Sequence, residues 1–336
     1  MNLPATSLMA NRDKIKLVTA FIALSLCAAW YVFTRAVADG NGHNSLTLYM
    51  FVADSHIHGH YNQLAEVWQP RIGGNWITGR LCDTFAPDGN LTFPVYERLF
   101  AFYNTAWVLL TFTALVYLAE RPLFVLPFVY AGLTYMLTPP ESVIVTPWDL
   151  PSMFFWTLAY LLWDHKSYLP MVAVIVLGTA FKETVAVTAF LFFFTTLNWR
   201  TRGIFFGATF VACLLLKLWI TAAVLGHPRI FTADSQGHLG FQVFLDLINP
   251  HVNHVIWVNA GTLVLALCLP MSTLADRGTK CILVVFLAGL TWACVLAGTP
   301  YEFRQCLDVL PLSILYLERT VRRWQSEEAD RQSQPA

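Results

Sequence analysis

Ten largely apolar segments constrain this chain more than any motif in it. They lie near residues 17–36, 100–119, 122–138, 150–163, 168–181, 184–197, 203–224, 254–270, 280–297 and 305–318. A helix needs about 20 mostly apolar residues to cross a bilayer, and fewer if it crosses only part of it. In lipid every backbone amide must find its partner inside its own segment, so the segments predict helices rather than open strands. The expected fold is an all-α polytopic membrane protein with about ten transmembrane or half-spanning helices. Composition agrees: 56% of the 336 residues are hydrophobic and 12% are charged, against about 45–50% and about 25% in soluble domains. With 21 basic and 21 acidic residues, no charge excess points to a nucleic-acid partner.

Lysines and arginines gather on the cytoplasmic side of membrane proteins. Thirteen of the 21 fall in one set of connecting loops, seven in the other, and Lys217 sits inside a span. This bias predicts both termini in the cytoplasm of a multi-pass membrane protein. It also splits residues 168–197 in two, because Lys166 and Arg200 reach the same side only if the chain goes out and returns between them. Lys182 and Glu183 then mark the turn. The expected organisation is a cytoplasmic N-terminus over 1–16, one membrane domain over 17–318 and a cytoplasmic tail over 319–336. Two outward loops, 37–99 and 225–253, interrupt the membrane domain. The first segment reads as an uncleaved anchor, since its apolar run is long for a signal and Arg35 stands just before the small-residue pattern. Seven cysteines include no CxxC spacing, so no zinc ribbon or disulfide framework follows. Cys82 reads as a lone thiol, with a bridge to Cys306 as the alternative.

Polar chemistry concentrates on the outward side. In ADSHIHGHYNQLAEVWQPRIGGNWITGRL, Asp54, His56, His58 and His60 alternate, and an extended backbone would project all four from one face. Such a face suits a divalent metal; a solvated, hydrogen-bonded loop is the plainer alternative. Asp54 is separately a candidate general base. Arg71 and Arg80 flank Gly73 and Gly74, and guanidinium forks match phosphate oxygens; pairing with Glu66, Asp83 or lipid headgroups is the alternative. Asp149 precedes an apolar helix and reads as an N-cap. Lys182 and Glu183 interrupt an apolar run, where ionisable residues usually face a cavity or a partner. Tyr301, Glu302, Phe303 and Arg304 open the last helix. Lys217 has no evident partner in the sequence.

Taken in order, these features resemble the GT-C superfamily of polytopic membrane glycosyltransferases, especially its small bacterial members. The resemblance rests on a YNxLAE stretch (Tyr61 to Glu66), a PRIGG turn (Pro70 to Gly74) and a TPxDLPSxFF helix start (Thr146 to Phe155). A GTAFKET break (Gly178 to Thr184) and an EFRxxLxxLPL helix (Glu302 to Leu312) complete it. It implies transfer of a sugar from a polyprenyl-phosphate donor to a lipid-linked glycan or other acceptor at the outer membrane face. Asp54 would then be the base, and Arg71, Arg80, Lys182 and Arg304 would hold the donor phosphate. Asp149, Glu183, Glu302 and Tyr61 would bind substrate or orient basic groups, and His56, His58 and His60 would hold a divalent metal if one is used. The resemblance implies membrane lipid, the polyprenyl-phosphate sugar and the glycan acceptor as partners. A secondary transporter or flippase, and a non-catalytic subunit of a glycan-assembly system, are the rival readings.

Overall fold

The computed structural model describes residues 5–39, 50, 71–85, 92–136, 146–226, 228, 307–308 and 310–333. All regular elements among these residues are helical. In chain order they are α1 (Ala5–Asp39), α2 (Ile72–Phe85), α3 (Phe93–Leu118), α4 (Pro122–Met136), α5 (Asp149–Asp164) and α6 (Tyr168–Thr179). A 3-10 helix (Glu183–Phe194), α7 (Trp199–Leu225) and α8 (Leu310–Ser333) follow. Helices cover eight of the ten apolar segments; 254–270 and 280–297 lie outside the described residues.

Among the described residues, three helices are long and apolar enough to cross a membrane: Ile15–Thr34 within α1, Phe93–Leu118 and Trp199–Val224. Their outer faces carry exposed apolar groups such as Leu17, Phe21, Phe102, Ile204, Leu215 and Trp219. Exposed apolar side chains in that density fit a hydrocarbon surround rather than water. Local signals explain the ends of α7. Asn198 accepts a hydrogen bond from the Thr201 amide at 2.8 Å, and Gly226 closes the helix at φ +75°, where its amide donates to Ala222 O. Both are favoured terminal devices.

Residues 168–194 form a hairpin. Gly178 faces Val185 at its tip, and Tyr168 stacks edge-on with Phe192 at its base. α7 then runs back along the 3-10 helix, with Phe205 on Phe192, Phe206 on Phe193 and a 3.3 Å hydrogen bond from Thr179 Oγ1 to Cys213 Sγ. The apolar interior falls into two clusters. One joins α1, α3 and α4 around Trp30, Phe112 and Leu133, and includes Trp148, Leu150 and Leu307. The other joins α5, the hairpin, α7 and α8 around Trp156, Tyr160, Val185 and Leu315.

Three expectations change. The stretch after Pro70, read as a turn within a loop, forms α2. Its two glycines are poor helix formers, but tertiary packing requires them: a Cβ on Gly74 would lie 2.3 Å from Pro147 O, and one on Gly73 would strike the Phe181 ring at 2.8 Å. Asp149 is the first residue of α5, and Trp148 takes the N-cap position, so the capping role assigned to Asp149 is wrong. The final helix does not stop near residue 318 but continues unbroken to Ser333. It is held there by Glu318, which accepts from the Arg121 amide at 3.0 Å, by Arg319 donating to Tyr160 OH at 2.9 Å, and by an Arg322–Glu120 ion pair.

Candidate functional site

The tip of the hairpin is the chemical centre of the described structure. α6 stops after Thr179 because the next turn tightens: the amides of Phe181 and Lys182 both donate to Gly178 O. This close turn needs glycine, since a Cβ at 178 would meet Val185 Cγ1 at 2.6 Å and the Phe155 ring at 2.8 Å. The tight tip sends Lys182 and Glu183 in different directions.

Lys182 Nζ lies 3.2 Å from Asp149 Oδ1 and 3.2 Å from Asp308 Oδ2. All three side chains are at most 5% exposed. Thr184 Oγ1 donates to Asp308 Oδ2 at 2.6 Å and stands 3.5 Å from Ser152 Oγ. Leu307 and Trp148 belong to the first apolar cluster and Phe181 to the second, so this triad sits on the seam between them. Asp149 Oδ2 is buried without a hydrogen-bond partner among the described residues.

Glu183 faces two other cations. Arg71 reaches it through a forked pair, Nη2 to Oε1 at 3.0 Å and Nε to Oε2 at 3.4 Å. Lys217 Nζ approaches Oε2 at 3.7 Å. The Arg71 guanidinium lies 5.0 Å above the Trp148 ring, a cation–π contact that fixes its plane. Its backbone is fixed as well, because Gly73 N donates to Ala180 O at 3.0 Å. This half is the more open one, with Arg71 15% and Glu183 22% exposed.

Six ionisable residues, from α5, the 3-10 helix, α7, the hairpin tip and the positions just before α2 and α8, therefore meet in one place, three cationic and three anionic. Buried charges tolerate such a setting only when paired. The pairings span 33 to 126 positions in sequence, so no local cap or helix-turn explains them. Lys182 and Glu183 do not neutralise each other; each serves a different partner pair. The structure also gives Lys217 its partner.

Of the residues singled out in the sequence, Arg71, Asp149, Lys182 and Glu183 come together. Arg80 does not. It is exposed on α2, paired with Asp83 at 3.3 Å and set over the Trp76 ring at 5.6 Å. Asp54, His56, His58, His60, Tyr61, Glu302 and Arg304 lie outside the described residues. Asp308 was missed, although a lone acid inside the apolar run CLDVLPL is the signal that exposes an intramembrane site. Thr184 and Ser152 were visible only as members of longer motifs. No protein-family model, curated protein or solved structure matches the chain.

Proposed function

We propose that the chain is a multi-pass membrane glycosyltransferase of GT-C type. It would move a sugar from a polyprenyl-phosphate donor to a lipid-linked glycan or other acceptor at the outer face of a bacterial inner membrane, with both termini cytoplasmic. One observation carries the reading: residues scattered between positions 71 and 308 converge on one polar centre within an apolar bundle. The depth of that centre supports a face-located reaction. Lys217 lies 18 residues along the 26-residue span Trp199–Val224. At a rise of about 1.5 Å per residue, an upright α7 centred on a core of about 30 Å places Lys217 about 8 Å from the midplane and about 7 Å inside the nearer boundary. A transporter would hold its substrate near the midplane.

Roles divide by exposure. Arg71 is the donor-phosphate ligand in this reading, because its fork is planar, held by Trp148 and partly open; charge growing on the leaving phosphate during transfer is what such a preorganised donor stabilises. Lys182 instead holds Asp149 and Asp308, and through them the starts of α5 and α8. Asp54 remains the base, deprotonating the acceptor hydroxyl as it attacks the anomeric carbon.

The test is turnover. The purified full chain in lipid vesicles is incubated with a panel of polyprenyl-phosphate sugars and a lipid-linked glycan acceptor, and released polyprenyl phosphate is measured. Release that stops in Asp54→Asn and Arg71→Gln, with both variants folded, supports the reading. No release with any donor, or full activity in both variants, contradicts it.

A further inference from the structure

Glu183 is placed oddly for a residue with only a structural task. Its single carboxylate is shared by Arg71 and Lys217, and the Lys217 contact of 3.7 Å is longer than a hydrogen bond. The other three ions of the cluster are closed off, at 2–5% exposure, whereas Glu183 and Arg71 form the accessible edge. Two cations converging from different parts of the chain on one small, partly exposed oxyanion describe a seat for an oxyanion. The present occupant belongs to the chain itself.

Glu183 can swing its side chain out although its backbone is held. It opens a 3-10 helix of 12 residues, far longer than the usual three or four. Lys182 and Thr184 on either side are both tied to Asp308, so the carboxylate leaves by rotation of its own side chain rather than by movement of the helix. Arg71 is far less free, because glycine contacts to Pro147 and Phe181 and a backbone hydrogen bond to Ala180 hold the start of α2. The anion can leave while its seat stays.

We infer that Glu183 is a built-in stand-in for a phosphate: its carboxylate fills the Arg71–Lys217 seat in the empty protein and is displaced when the phosphate of a ligand arrives. This rests on the reading of Arg71 as a phosphate ligand, and it adds Lys217 as the second ligand and Glu183 as the internal competitor. The shared ligand chemistry is a phosphate monoester or diester, whether from a lipid headgroup or free in solution. An internal competitor of this kind lowers affinity by the fraction of time that it occupies the seat.

The test measures binding to the full chain in detergent by calorimetry, with farnesyl phosphate and inorganic phosphate as probes. Glu183→Gln is expected to bind farnesyl phosphate about tenfold tighter than wild type, the gain for a seat occupied nine-tenths of the time. Adding Lys217→Met to it is expected to abolish that gain. Equal strengthening for inorganic phosphate identifies the free ion as a sufficient ligand; strengthening for farnesyl phosphate alone identifies the lipid headgroup. Should Glu183→Gln fail to fold, Glu183→Asp retains the charge on a shorter arm and is expected to move affinity in the same direction by a smaller factor. Unchanged or weaker binding of both probes by a folded Glu183 variant overturns the inference. Tighter binding without sugar turnover keeps the stand-in and discards the transferase, and turnover without the gain does the reverse.

Discussion

Lys182 and Asp308, 126 residues apart, meet with Nζ 3.2 Å from Oδ2 in a part of the fold that excludes water. Asp149 closes on the same ammonium at 3.2 Å. One cation thus fastens the N-terminal end of α5 and the approach to α8 to the tip of the hairpin. Pairs of this kind contribute little over an apolar substitute, but breaking one side strands a buried charge.

Lys182→Met is therefore expected to destabilise the protein by roughly 3–5 kcal/mol, because two carboxylates lose their counter-ion. Adding Asp308→Leu should recover part of the loss, giving a coupling of about 0.5–3 kcal/mol for residues in direct contact. Unfolding of the four proteins in mixed micelles measures the cycle, and strictly additive effects would refute the contact.

Thr184→Val keeps the side-chain volume but removes the 2.6 Å hydrogen bond to Asp308 Oδ2. A bond to a charged group is worth about 1.5–3 kcal/mol, and that loss is the expected shift in unfolding free energy. Thr113→Val, whose hydroxyl bonds only to Leu109 O on an exposed helix face, should shift it far less.

Glycines separate cleanly by environment. Gly74→Ala places a methyl 2.3 Å from Pro147 O, whereas Cβ atoms at Gly203 and Gly207 meet nothing within 4 Å. Gly74→Ala should lower the thermal midpoint markedly. Gly203→Ala and Gly207→Ala should be neutral or stabilising, by about 0.5–1 kcal/mol each from helix propensity. A loss at Gly207 equal to that at Gly74 would contradict the open face described for Gly207 on α7.

The hairpin was legible because two independent signals agreed: the positions of Lys166 and Arg200, and the break of an apolar run by Lys182 and Glu183. The membrane-length helices were legible from hydropathy alone. Partners were not. Nothing in the sequence near Lys217 points to Glu183, and Asp308 reads as one polar residue in an apolar stretch until the fold brings Lys182 to it. Asp149 was misread because a local rule, helix capping, offered a sufficient explanation before the distant one could be seen. α2 was missed because Gly73 and Gly74 argue against a helix locally, while contacts with Pro147 and Phe181, about 75 and 110 positions away, reward it. In each case local chemistry was readable and long-range pairing decided the outcome.

The charged centre is proposed as a working site rather than a clasp, and Arg71→Lys separates the two. Lysine keeps the charge beside Glu183 but loses the fork and the planar stack on Trp148. Polyprenyl-phosphate release should fall by roughly a hundredfold, the usual scale for losing one preorganised donor. The unfolding midpoint should stay near that of wild type. Undiminished release by a stable Arg71→Lys protein, or a loss of activity that only follows a loss of fold, would contradict it.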